Sequence, residues 1–87
     1  MNQTVTILYF AWLRERIGTA SETVVLPAGL STVADLVAYL TDRGGAYASA
    51  FANRRTIRCA VNQEFANPSS TIKPGDEIGF FPPVTGG

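Results

Sequence analysis

Histidine is absent from the 87-residue sequence, and cysteine occurs once, at Cys59. Without histidine there is no imidazole general base, no Ser–His pair and no histidine metal ligand. A lone thiol cannot form an intrachain disulfide, a zinc ribbon or a cysteine-held iron–sulfur cluster. Charge is sparse and balanced: charged residues are 16% of the chain, with seven basic against seven acidic. Zero net charge supplies no general pull toward nucleic acid or an anionic membrane, so neither is expected as a partner. No apolar run approaches the roughly 18 residues that a spanning helix needs, and no basic stretch leads into an apolar one at the N-terminus. The expectation is a small, reduced cytoplasmic domain whose own side chains carry out no enzymatic chemistry.

What is present suits one modest core. Hydrophobic residues make up 46% of the chain, which argues against disorder. Thr4 to Phe10 is β-branched and aromatic, with Val5, Ile7 and Tyr9 on one face and Thr6, Leu8 and Phe10 on the other, as in an interior strand. Ala11 to Ile17 changes to helical spacing and runs into Gly18, where a C-cap glycine belongs. Glu22 to Leu26 reads as a second strand, stopped by Pro27 and antiparallel to the first because the connection is short.

The clearest helix follows. Thr32 is its N-cap, Asp35 sits three residues on, Leu36, Val37 and Leu40 form the apolar stripe, and Gly44-Gly45 end it. Ala46 to Ala52 suggests a second short helical piece. Thr56 to Val61 alternates and places Ile57, Cys59 and Val61 inward. An Asn62-Gln63 turn precedes a short edge strand at Glu64 to Ala66, and the turn Lys73 to Asp76 precedes a last strand at Asp76 to Phe81. This order predicts an α+β fold, a mixed sheet wrapped round one main helix, over residues 1–81. The predicted core holds Val5, Ile7, Tyr9, Leu36, Leu40, Ile57, Cys59, Val61, Ile78 and Phe80.

Few residues invite a functional reading. Cys59 shares a face with Ile57 and Val61 and reads as a buried hydrophobe. Arg54, Arg55 and Arg58 read as a solvated surface cluster, as do Arg14, Glu15 and Arg16. Asp76 and Glu77 are neighbours on a strand and point to opposite faces, so they cannot flank one substrate bond. In the last strand Ile78 and Phe80 face the core, which leaves Phe81 on the open side with Leu8, Phe10, Ala60 and Phe65. An exposed aromatic patch of this kind marks a protein partner.

The strongest signal is the end of the sequence. Pro82-Pro83 stops sheet pairing and stiffens the exit into an extended segment, residues 82–87, that closes in Gly86-Gly87. Two residues without side chains let a backbone thread a channel too narrow for a Cβ. A bare carboxylate becomes reactive once adenylated, because the mixed anhydride is open to attack by sulfur or by an amine. The residues alone leave three classes open: a sulfur carrier, a protein modifier joined to lysine, and an interaction domain with an inert tail.

The run Phe80-Phe81-Pro82-Pro83-Val84-Thr85-Gly86-Gly87 resembles the C-terminus of the small subunits of molybdopterin synthase, among the ubiquitin-like β-grasp sulfur carriers. Leu8-Tyr9-Phe10-Ala11 with Arg14-Glu15 and Gly18, Thr32 to Leu36, Ala60 to Gln63, and Gly75-Asp76-Glu77 are similar to that family as well. The resemblance implies a ubiquitin-like β-grasp fold. It implies that Gly87 is the reactive residue, adenylated by an activating enzyme that uses ATP and then thiocarboxylated from a persulfide sulfur donor. The chain itself is expected to bind no cofactor and no metal. Gly86 would provide clearance, and Phe81, Pro82, Pro83, Val84 and Thr85 would form the stalk that docks on the large subunit of the synthase, a heterotetramer. Phe65 is implied as a hydrophobic contact and Arg14 as a rim charge. Sulfur would pass to cyclic pyranopterin monophosphate, with the catalytic side chains on the large subunit. Carriers for thiamine, tRNA thiolation or cysteine, and ubiquitin-like modifiers, are the alternatives.

Overall fold

The sheet forms because five short segments alternate or cluster apolar residues, and one well-capped helix covers them. The computed structural model describes residues 3–83. In chain order the elements are β1 (Thr4–Tyr9), α1 (Trp12–Ile17), β2 (Ser21–Val25), α2 (Val33–Thr41), α3 (Gly45–Ala50), a 3-10 turn (Arg54–Thr56), β3 (Arg58–Val61), β4 (Glu64–Ala66) and β5 (Glu77–Phe81). The strands lie in the order β2-β1-β5-β3-β4. β1 and β5 are parallel, and the other pairs are antiparallel. The expected α+β arrangement holds, and β5 occupies the centre of the sheet.

α2 starts where the sequence predicts. The Thr32 Oγ1 accepts from the Asp35 amide at 3.2 Å, and the Asp35 carboxylate accepts from the Thr32 and Ser31 amides at 3.2 and 3.0 Å. This reciprocal cap satisfies donors that would otherwise be orphaned at the helix start. The amides of Ser31 and Thr32, with the Thr32 hydroxyl, hold the Asp35 carboxyl below its usual range against a smaller opposing effect of desolvation. Val33, Leu36, Val37 and Leu40 then meet Val5, Ile7, Tyr9, Cys59, Ile78 and Phe80 in one core. Register explains the inner layer: Tyr9 pairs with Phe80 and Phe80 with Cys59, so three residues from three strands share one row. The Phe80 ring lies between Tyr9, stacked at 6.3 Å, and Phe51, edge-on at 5.1 Å.

Two expected core residues are only half-buried. Ile57 closes the 3-10 turn and precedes β3 rather than lying within it. Val61 is the last residue of β3 and partly exposed, although it packs against the core cluster. Asp76 likewise leaves the strand for the turn before it. It is buried, and its carboxylate accepts from the Asn62 side chain and the Lys73 amide, both at 2.9 Å. Asn62 and Gln63 take positive φ of 52° and 71° in the β3–β4 turn, and the Asn62 side chain ties that turn to β5.

One polar cluster was not visible in the pattern. The Glu22 carboxylate on β2 accepts from Tyr9 Oη at 2.8 Å, Tyr47 Oη at 2.7 Å and Arg43 Nη1 at 2.8 Å. It therefore joins β1, β2, α3 and the end of α2. Burial alone would raise the Glu22 pKa, but the hydrogen bonds from Arg43, Tyr47 and Tyr9 outweigh it and hold the group below the usual carboxylate range. The same burial and the same carboxylate push the Tyr9 hydroxyl well above the usual phenol range. A carboxyl whose folded pKa is depressed contributes stability above its unfolded pKa and loses it as pH falls through the folded value. Glu22→Gln is expected to lower stability at neutral pH by about 1–2 kcal/mol, the scale of charge-assisted hydrogen bonds. Urea melts of both proteins should converge as pH drops through and below the carboxylate range.

Ala11, between β1 and α1, has φ 55° and ψ −133°, a region that a Cβ disfavours. Such conformations cost about 1–3 kcal/mol, against up to about 1 kcal/mol for the extra chain entropy of glycine. Ala11→Gly is therefore expected to raise stability, by about 1 kcal/mol in a denaturant titration.

Candidate functional site: the open face of the sheet and the end of β5

The face of the sheet opposite α2 is built from a second row. Leu8 pairs with Gly79, Gly79 with Ala60, and Ala60 with Phe65, across β1, β5, β3 and β4. The period of two along each strand puts Phe81 on this same face. The Phe65 and Phe81 rings meet at 5.9 Å, although Phe65 lies on the edge strand and is 86% exposed. Phe81 is half-buried and pairs with Arg58. The expected facing of β5 is therefore correct, with Phe80 inward and Phe81 outward.

Gly79 is buried even though it belongs to this open face. Phe10 covers it: a Cβ on Gly79 would lie 3.2 Å from Phe10 Cε2. The Phe10 ring remains 47% exposed, and its amide donates to the Phe80 carbonyl at 3.0 Å, which binds the end of β1 to the end of β5. Phe10, Phe65 and Phe81 thus form an aromatic surface around the point where β5 ends. The signal for Phe10 was present in the sequence as an apolar residue on the outward face of β1. Its role as a lid on a glycine depended on the β1–β5 pairing.

The other predicted residues are placed as follows. Pro82 and Pro83 follow β5 directly, outside regular structure and half-buried. Arg14 is exposed on α1, and its side chain makes no hydrogen bond or ion pair among the described residues, nor is it joined to the Phe65–Phe81 pair. Val84, Thr85, Gly86 and Gly87 lie outside the described residues.

The side chains at hand offer little chemistry. Cys59 is buried on the opposite face, and burial pushes its thiol pKa up, away from the reactive thiolate. Both oxygens of Asp76 are engaged. Among the described residues, no group of three or more cysteine or acidic side chains could hold a metal ion, and no helix is long and apolar enough to cross a membrane. What the arrangement provides is an exposed aromatic surface at the end of the central strand.

Known proteins match nearly the whole chain. The sequence model of the ThiS family matches residues 7–87. The molybdopterin synthase sulfur carrier subunit of Haemophilus influenzae is 36% identical over 83 residues, which cover 95% of this chain and 99% of that protein. Its Escherichia coli counterpart is 35% identical over 83 residues, with the same shares. Among solved structures, small archaeal modifier protein 1 of Haloferax volcanii superposes with a TM-score of 0.74 at 27% identity, covering 94% of this chain and 99% of that one.

Proposed function

Because the chain belongs to the ThiS family, we propose that it is a sulfur carrier that serves molybdopterin synthesis. The Gly87 carboxylate is adenylated by an activating enzyme that uses ATP; the outer sulfur of a persulfide donor displaces AMP to form an acyl disulfide, and a thiol reductant cleaves its S–S bond to leave the thiocarboxylate. The carrier then docks on the large subunit of the synthase, and the thiocarboxylate gives its sulfur to cyclic pyranopterin monophosphate. The groups that position and protonate the pterin belong to the large subunit, since this chain has no histidine and its one thiol is buried.

The observation that carries this reading is the continuity of β5. The strand brings Phe81 beside Phe65 on the open face and then passes in sequence through Pro82-Pro83 toward Gly86-Gly87. A desolvated aromatic anchor next to a side-chain-free terminus suits a partner that holds the domain while the terminus enters an active site. Full-length similarity to sulfur carrier subunits of two bacteria supports the pterin as acceptor.

The likeness to an archaeal modifier protein favours a second reading. An adenylated Gly87 attacked by a lysine amine instead of sulfur would form an isopeptide bond. One experiment separates the two. The chain is incubated with the adenylating enzyme, ATP and a sulfur source, and its intact mass is measured. Replacement of one oxygen by sulfur is the expected result. Conjugates to lysine would identify a modifier, and an unchanged mass would overturn both.

A further inference from the structure

Arginine is unevenly placed on this neutral domain. Arg54, Arg55 and Arg58 lie close in sequence, and no acidic residue occurs between Asp42 and Glu64. All three are exposed. Arg54 and Arg55 belong to the 3-10 turn, which leads into β3 at the end of β5, because Arg58 pairs with Phe81. Residues directly opposite each other on neighbouring strands share a face. Arg58 therefore lies on the open face with Phe81, away from α2.

The carboxylates are elsewhere. Glu77 is the acidic residue that the register puts on this face, and it pairs with Thr6 at the other end of β5. Four residues of strand, about 13 Å, separate it from Phe81. Glu64 pairs with Val61 and so belongs to the inner face. Among the described residues the one ion pair is Arg43–Glu22, so Arg58 has no carboxylate. Its head is held nonetheless: Nη1 donates to the carbonyls of Arg55 and Ile57 at 3.2 and 3.1 Å. A guanidinium carries five N–H donors, and the edge formed by Nε and Nη2 has no partner among the described residues. That edge offers the two parallel donors that a carboxylate accepts side-on. Fixing the head beforehand also reduces the entropy a long side chain loses on binding.

A partner that takes Gly87 into an active site must approach the end of β5, since residues 82–87 span at most about 20 Å. Arg58 is then part of the contact, beside Phe81. Burying an unpaired guanidinium is strongly unfavourable, so the covering surface must supply the opposite charge. Zero net charge and the adjacent aromatic rings favour a protein surface over nucleic acid. We propose that Arg58 is a specificity residue of the docking surface and that it takes an Asp or Glu carboxylate of the synthase large subunit side-on, next to Phe81. The proposal rests on the reading that this subunit receives Gly87, and it adds selection by charge to an apolar contact.

Binding of the full chain to the large subunit from the same source is measured at low and high salt. Arg58→Gln should weaken it about tenfold at low salt and less at high salt, with an unchanged melting curve. Arg58→Lys keeps the charge but not the fork and should recover only part of the loss. It also reads the partner directly. A water-soluble carbodiimide should join the new amine to an Asp or Glu of the large subunit, located by mass spectrometry. Lys73, the one natural lysine, is in the turn before β5 at the far end of the sheet and should stay unlinked. Full affinity in Arg58→Gln, a loss that salt does not change, or no cross-link from Arg58→Lys would overturn the proposal and leave the carrier reading, tested separately by intact mass, in place. Tighter binding of the unsubstituted chain to a random-sequence oligonucleotide would also overturn it. No binding of the unsubstituted chain to the large subunit would overturn the proposal and the synthase reading together.

Discussion

Removal of Gly87 is expected to abolish thiocarboxylate formation and to leave the unfolding transition unchanged. The second half follows from where the core lies. Among the described residues, the buried hydrophobic ones run from Val5 to Phe80, seven residues before Gly87. The first half follows by elimination of other reactive groups. There is no histidine, the single thiol is buried and its pKa is raised, and both Asp76 oxygens and the Glu22 carboxylate have structural partners. Gly86→Val should also block activation, since a β-branched side chain widens the chain where a narrow channel must admit it. Cys59→Ala is the contrasting variant. It should lose about 1 kcal/mol of stability through poorer packing and still form the thiocarboxylate. Intact mass after incubation with the activating enzyme, ATP and a sulfur source reads all of these proteins. A Gly87-deleted chain that still gains sulfur, together with a Cys59→Ala chain that does not, would make the protein a thiol-based carrier.

The parts of the fold that could be read from sequence are those set by neighbours in the chain. The Thr32–Asp35 cap is local, and α2 starts accordingly at Val33. Alternation in β5 fixed its facing, because a one-residue error would bury Glu77 and expose Ile78. The parts that were hidden depend on residues far apart in sequence. Tyr9 fits the apolar side of β1, and nothing nearby shows that its hydroxyl needs a partner. That partner, Glu22, is supplied by β2, and Arg43 and Tyr47 reach the same carboxylate from the α2–α3 region. Ile57 packs against the core but is less buried than its alternation with Cys59 suggests, because alternation cannot show that a 3-10 turn occupies the residues before β3. The outward surface was legible as a set of apolar residues, but the contact between Phe65 and Phe81 required the β3–β4 and β3–β5 registers together.

Phe80 and Phe81 are adjacent, identical in kind and expected to fail in opposite ways. Phe80 is 1% exposed, lies between Tyr9 and Phe51 and sits on the central strand. Phe80→Ala should cost about 3–5 kcal/mol, the range for deleting a buried phenyl ring and leaving a void. For a small domain whose total stability is about 5–15 kcal/mol, that is enough to populate unfolded protein at moderate temperature. Phe81 projects from the other face and touches Phe65, a ring almost fully in water. Phe81→Ala removes little core packing, so the melting transition should move only slightly. Its expected effect is on association: about 2 kcal/mol or more of affinity for the synthase large subunit, as for a central aromatic anchor. Phe65→Ala should weaken binding less than additively with Phe81→Ala, because the two rings form one contact. Denaturant titration and binding isotherms on the unsubstituted chain, the three single variants and the Phe65→Ala/Phe81→Ala double variant decide the matter. If Phe81→Ala unfolds the domain while the surviving folded fraction binds normally, Phe81 is a core residue and the docking surface must lie elsewhere.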